Sequence, residues 1–279
     1  MPDATSRVQR GLQHHRSGRL DEAERLYADA LTENPRDADA LHLLGVLADA
    51  RGARVRAVAL IIEALKLRDA AQFHCNLSMV LGKLDRNEEA VAAASRALTL
   101  RSDYPQALNN LGVALEALGR LEQAEAALRR ALSAKPDYAD AWSNLGNTLR
   151  RLDRPEEAIA AYERAVVLNP AFPGAYANKA HLLREQGRLS EAEAAYRNEV
   201  AWHPDDPAAH TNLAAVLSES ARSGDLEPES HNTLGNTLQR LGRFEEAEAA
   251  CRRALALRPD YADAAINLGN VLREQGRLK

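Results

Sequence analysis

Residues 139–172 read ADAWSNLGNTLRRLDRPEEAIAAYERAVVLNPAF. Trp142, Leu145, Gly146 and Leu149 fall on one stripe of a first helix, here called A, because residues three and four apart share a helical face. A short turn follows, acidic residues open a second helix, B, where its positive end favours them, and Pro170 stops the winding. The stretch predicts a helical hairpin with small residues where the two helices touch.

Laid against the rest of the chain, this stretch recurs with a period of 34 residues. Complete units run 4–37, 71–104, 105–138, 139–172, 173–206 and 228–261, and the unit 38–70 is one residue short. The eighth position holds Gly11, Gly45, Ser78, Gly112, Gly146, Ala180, Ala214, Gly235 and Gly269; the twentieth holds Ala23, Ala57, Ala90, Ala124, Ala158, Ala192 and Ala247. Both positions are expected to be close contacts between helices A and B. Turns such as Leu118-Gly119-Arg120-Leu121 place a glycine where a helix ends in the left-handed conformation. Pro35, Pro136, Pro170, Pro204 and Pro259 occupy the thirty-second position, and Asp69 and Ser102 replace proline in two units, whose turns are expected to be less firmly specified.

Trp142, Leu145, Gly146, Ala158, Tyr162, Ala165 and Pro170 match the tetratricopeptide signature, and related matches cover nearly the whole chain, so the sequence resembles a tetratricopeptide-repeat protein. It departs from that signature at Arg7, Arg10 and His14 in the first helix, which fit a solvent-facing cap, at Lys179, and at Glu199 where alanine is expected. The resemblance implies an all-α, right-handed superhelical solenoid of antiparallel helix pairs, with the A helices lining a concave groove.

The period fails twice. A helix A around 210–220 is followed by Arg222-Ser223-Gly224-Asp225-Leu226-Glu227 and then by another helix A near 229–241, so one helix B is missing. The expected organisation is six units over 4–206, a half repeat with an irregular junction near 221–228, a seventh complete unit at 228–261 and a truncated helix A at 262–279. At the end, Leu272-Arg273-Glu274-Gln275-Gly276-Arg277-Leu278 reproduces Leu183-Arg184-Glu185-Gln186-Gly187-Arg188-Leu189, which suggests part of a longer protein.

Composition narrows the function. The chain has 36 basic and 40 acidic residues spread along its length, a net charge of −4, and no block of one sign to track nucleic acid. No apolar run approaches the roughly 20 residues of a membrane helix, and MPDATSRVQR lacks a signal-peptide core, so a cytoplasmic protein is expected. Cys75 and Cys251 lack metal or disulfide spacing. His74, His210 and His231 sit at the fourth position, where packing explains them, and no phosphate loop or nucleophile elbow occurs. Neither a cofactor nor a metal is expected. The sequon Asn76-Leu77-Ser78 falls mid-helix and is read as chance.

The feature that points to a ligand is asparagine at the sixth position of helix A: Asn76, Asn110, Asn144, Asn178, Asn212 and Asn267, interrupted by Thr233. Packed helices lie about 8–10 Å apart, close to the ~10 Å spanned by three residues of extended chain. A carboxamide carries both a donor and an acceptor, so each could pair with peptide backbone without reading side chains. The alternatives are asparagines inherited by duplication or merely solvated. The expected peptide-binding set is Asn76, Asn110, Asn144, Asn178, Asn212, Asn147, His181 and Arg151. The same series resembles the arm of O-linked N-acetylglucosamine transferases and bacterial Spindly-type proteins, where it grips peptide backbone; nothing here matches their catalytic domain. The fifth positions, His42, Cys75, Asn109, Ser143, Ala177 and Thr211, lack the lysines of carboxylate-clamp repeats. A non-enzymatic scaffold for a protein or peptide is therefore expected, with the recruiting arm of a transferase as the alternative; oligomeric state is left open by the sequence.

Overall fold

The computed structural model describes residues 4–224 and 226–277, which form sixteen α-helices and, among the described residues, no strand. The chain divides into two compact units at Asp153. The first contains α1 (Ala4–Arg16), α2 (Leu20–Glu33), α3 (Ala38–Ala50), α4 (Arg54–Leu67), α5 (Ala71–Gly82), α6 (Asn87–Leu100), α7 (Pro105–Ala117), α8 (Leu121–Ala134) and α9 (Ala139–Arg151). The second contains α10 (Pro155–Leu168), α11 (Ala175–Glu185), α12 (Leu189–Trp202), α13 (Pro207–Ser223), α14 (Pro228–Arg240), α15 (Phe244–Leu257) and α16 (Ala262–Glu274). No helix among the described residues is long and apolar enough to cross a membrane.

Within each unit, successive A and B helices pack as antiparallel hairpins, and the turn that joins them recurs. Gly119 has φ +74°, its N–H bonds the carbonyl of Glu116 at 2.9 Å, and the N–H of Arg120 bonds that of Leu115 at 2.9 Å. This pair of bonds satisfies carbonyls that the helix end leaves open. Asp85 and Asp153 adopt the same conformation at φ 58° and 56°, because aspartate tolerates this region better than most side chains. The turn therefore survives where the glycine is missing.

The expected contact of position eight with position twenty is only half of the A–B seam. A β-carbon added at Gly112 would lie 2.6 Å from Leu128 Cγ, and one at Gly235 would run into Cys251 Sγ. Position eight thus receives the side chain at position twenty-four. The alanines at position twenty, from Ala23 to Ala247, are fully buried, as are Ala30, Ala64, Ala97, Ala131, Ala165 and Ala254 at position twenty-seven. Deleting a position-twenty-four side chain such as Leu128 would open a cavity costing about 2–5 kcal/mol.

The two turns without proline are held by other contacts. Helices α4 and α6 stop at the same place in the repeat as their counterparts. Asp69 bonds the His74 ring at 2.7 Å and also pairs with Arg96. Beside Ser102, the Arg101 guanidinium lies 4.8 Å from the centre of the Tyr104 ring, a cation–π contact that Lys135 and Tyr138 repeat. The fourth-position side chain closes such turns elsewhere: Trp142 Nε1 donates to the Pro136 carbonyl at 2.9 Å, and His210 Nε2 to that of Pro204 at 2.8 Å.

In the second unit the chain goes from one A-type helix directly to the next. Helix α13 runs 17 residues against 13 for α14, ends at Gly224 with φ +87°, and Pro228 opens α14. Helix α14 reaches back to α12, where Ser230 Oγ donates to Glu193 Oε1 at 2.7 Å. The departures from the signature at Lys179 and Glu199 also find roles: Lys179 pairs with Glu163 at 2.7 Å, and buried Glu199 accepts the N–H of Gly174, the left-handed residue ahead of α11, at 3.2 Å.

Candidate functional site

The sixth-position asparagines are tied to the preceding A helix by a recurring bond. Asn76 Nδ2 donates to His42 Nε2 at 2.9 Å; Asn110 Nδ2 to the Cys75 carbonyl at 3.0 Å and Ser78 Oγ at 3.2 Å; Asn144 Nδ2 to Asn109 Oδ1 at 2.9 Å. In the second unit Asn267 Nδ2 donates to Asn232 Oδ1 at 2.9 Å. A fifth-position residue one repeat earlier accepts in each case, with the eighth-position Ser78 a second acceptor for Asn110, and His42, Cys75 and Asn109 are all buried. Each of these amides thus spends one donor between repeats, while the Oδ1 atoms of Asn76, Asn110 and Asn144 accept no hydrogen bond among the described residues. Thr233, which interrupts the series, turns its hydroxyl to its own helix, to the Glu229 carbonyl at 2.9 Å.

The rest of the expected set is dispersed. Asn76, Asn110, Asn144, Asn147 and Arg151 lie in the first unit; Asn178, His181 and Asn212 lie in the second. Arg151 bonds the side chain of Glu116 at 3.2 Å, and exposed His181 faces Glu185 at 3.1 Å. Asn147, Asn178 and Asn212 are half-buried.

Two cavities on the A-helix side were not anticipated. In the first unit, Val8, Leu12 and Leu43 line a cavity of about 390 Å³ together with Arg16, His42 and Gln72. In the second, Asn236, Gln239, Asn267 and Asn270 bring four carboxamides around a space of about 540 Å³. Asn147, Asn236 and Asn270 share the ninth position, a signal present in the sequence but diluted by Leu12, Val46, Met79 and Val113 in other copies.

His42 stacks on Phe73 with ring centres 4.1 Å apart, and burial pushes its pKa down to about 4, so the imidazole is neutral and its Nε2 can accept from Asn76. Burial raises both thiols, Cys251 to about 11, which leaves them poor nucleophiles. Among the described residues no group of three or more His, Cys, Asp or Glu side chains could hold a metal ion.

Comparison with known proteins bears on the family and the fold. Family models described as tetratricopeptide repeat match residues 5–47, 75–139, 117–176, 149–217 and 228–261. No curated protein matches the sequence. Among solved structures, the chain is similar to one in the APC/C hetero-tetramer Cut9–Hcn1, with a TM-score of 0.71 and 20% identity over 77% of this chain and 43% of that one. It is similar to PilW, a widely conserved type IV pilus biogenesis factor, with a TM-score of 0.69 and 20% identity over 77% of this chain and 98% of that one. Pseudomonas aeruginosa PilF follows at 0.56 and 21% identity, over 84% and 98%. The chain spans less than half of the Cut9–Hcn1 chain and nearly all of the two pilus proteins. At these identities the likeness is one of fold.

Proposed function

This chain belongs to the tetratricopeptide-repeat proteins, a family that generally mediates protein–protein interaction, and we propose that it is a non-enzymatic scaffold capturing an extended peptide or partner helix on its A helices. The observation that carries this reading is the open Oδ1 of Asn76, Asn110 and Asn144, each held in place by its own Nδ2 bond to the preceding repeat. A donor-anchored carboxamide presents its acceptor at fixed orientation, so a peptide N–H meets a group that loses little rotamer entropy on binding. Asn178, Asn212, Asn147, His181 and Arg151 complete the proposed binding set. The two buried, unpaired cysteines support a cytoplasmic setting.

The test is peptide selection on the intact chain, followed by alanine at Asn76, Asn110 and Asn144 together. Affinity should fall at least tenfold with helicity retained; unchanged affinity removes the asparagines from the site. The asparagine series also favours a second reading, the substrate-recruiting arm of a transferase of the O-linked N-acetylglucosamine type. Reading the encoding frame past Lys279 separates the two: a downstream nucleotide-sugar-binding domain favours the arm, a stop codon the scaffold.

A further inference from the structure

Where helix B is missing after α13, the second unit contains a cavity of about 500 Å³. Leu189 and Leu226 form apolar walls, and Glu193, Arg197, Glu227 and Ser230 supply its polar groups. Leu226 is buried although it belongs to the short segment between two helices. Leu226 therefore faces the space rather than solvent.

Glu193 decides what the space can hold. It is only 8% exposed, and its Oε1 is saturated by Ser230 Oγ at 2.7 Å and Arg197 Nη2 at 2.8 Å. Arg197 Nη2 also donates to Ser230 Oγ at 3.1 Å and to Thr233 Oγ1 at 3.5 Å, so this nitrogen is already shared among groups of the protein. Glu193 Oε2 accepts nothing among the described residues, yet it is not one of the atoms sealed away from solvent. That oxygen, on a side chain otherwise buried, is open to a donor that enters the cavity. Glu227 adds a second carboxylate that neither caps α14 nor enters an ion pair among the described residues. Two carboxylates against one guanidinium leave the cavity one negative charge in excess.

We propose that this cavity receives the primary ammonium group of a lysine side chain from a bound protein partner. Its methylene stem would lie along Leu189 and Leu226, and its three N–H donors would meet Glu193 Oε2, Glu227 and a serine hydroxyl. Arginine fits less well, because its planar fork favours a carboxylate with both oxygens free, and Oε1 of Glu193 is already taken.

Titrating the isotope-labelled chain with N-acetyl-lysine methylamide tests this by backbone NMR, with N-acetyl-norleucine methylamide as the uncharged control and cadaverine as a free diamine. The lysine probe should shift the amides of Leu189, Glu193, Leu226 and Ser230 saturably, and the norleucine probe should not. Glu193→Gln and Glu227→Gln should each weaken the lysine probe by about tenfold, the effect of losing one charge-assisted bond. Glu227→Gln is the decisive variant, since that exposed side chain holds no partner among the described residues. Equal shifts with norleucine, or lysine-probe affinity unchanged in Glu227→Gln, would overturn the proposal; tighter binding of cadaverine would overturn its assignment to a protein lysine.

Discussion

Asn144 Nδ2 lies 2.9 Å from Asn109 Oδ1, and the acceptor is 7% exposed. One asparagine therefore joins two successive A helices as well as offering an oxygen outward. A residue copied at constant period can be kept by either role, and the two are separable by experiment.

Asn144→Ala leaves the buried oxygen of Asn109 without its donor and should lower unfolding stability by about 1–2 kcal/mol. Asn212 makes no such bond among the described residues, so Asn212→Ala should change stability by less than about 0.5 kcal/mol. Denaturant unfolding of both variants measures the difference. Equal effects would mean that the inter-repeat bond contributes nothing.

The glycines at position eight give a second contrast. At Gly112 a β-carbon meets Leu128 at 2.6 Å, whereas at Gly269, in the final helix with no B partner among the described residues, it meets nothing within 4 Å. Gly112→Ala should cost about 1–3 kcal/mol through overpacking. Gly269→Ala should stabilise α16 by up to about 1 kcal/mol through helix propensity. Thermal melts of the two variants moving in the same direction would refute the seam at positions eight and twenty-four.

Much of this architecture is legible in the sequence, because hydrophobic period, turn glycines and small contact residues all act locally. The helices themselves follow from that local pattern. Position twenty-four was less visible because Tyr27, Ile61, Ala94, Leu128, Tyr162, Tyr196 and Cys251 share no residue type; only their common burial unites them. Asp85 and Asp153 hid the turn for a similar reason, since the conformation recurs and the residue does not. The bond from position six to position five crosses repeats and accepts a ring nitrogen, a carbonyl or a carboxamide indifferently. No single-column pattern could show it.

His42 makes stability depend on pH. Its folded pKa of about 4 lies below the ordinary imidazole value of 6.5, chiefly because burial disfavours the imidazolium, with Asp39 opposing and Arg68 reinforcing. The folded state thus prefers the neutral ring, so the contribution is fully present above pH 6.5 and lost as pH falls towards 4. At 1.36 kcal/mol per unit it amounts to about 3 kcal/mol at most. Protonation would also turn Nε2 into a donor facing the Asn76 amide, breaking that bond. His42→Gln should flatten the decline of melting temperature between pH 6.5 and 4 relative to the parent. Parallel profiles would show that other groups govern acid unfolding.

The last prediction concerns 222–227. Arg120 closes α7 with a backbone bond to Leu115, but among the described residues no bond of that kind closes α13, and Arg222, Gly224 and Glu227 are exposed. Gly224 also enlarges the unfolded ensemble, and Pro228 withholds a donor from the following turn. Opposing this, Leu226 is 7% exposed and anchors the segment against the cavity wall. One buried leucine contributes at most about 1.5–3 kcal/mol, well below the cost of unfolding a packed hairpin, so local opening should precede global unfolding. Limited digestion with a non-specific protease should therefore cut within 222–227 before it cuts the turns at Pro136 or Pro170, and Leu226→Ala should accelerate that first cut. If amides on either side of Gly224 are instead as protected from hydrogen exchange as those turns, the anchoring by Leu226 dominates and the direct A-to-A connection is as firm as a regular repeat.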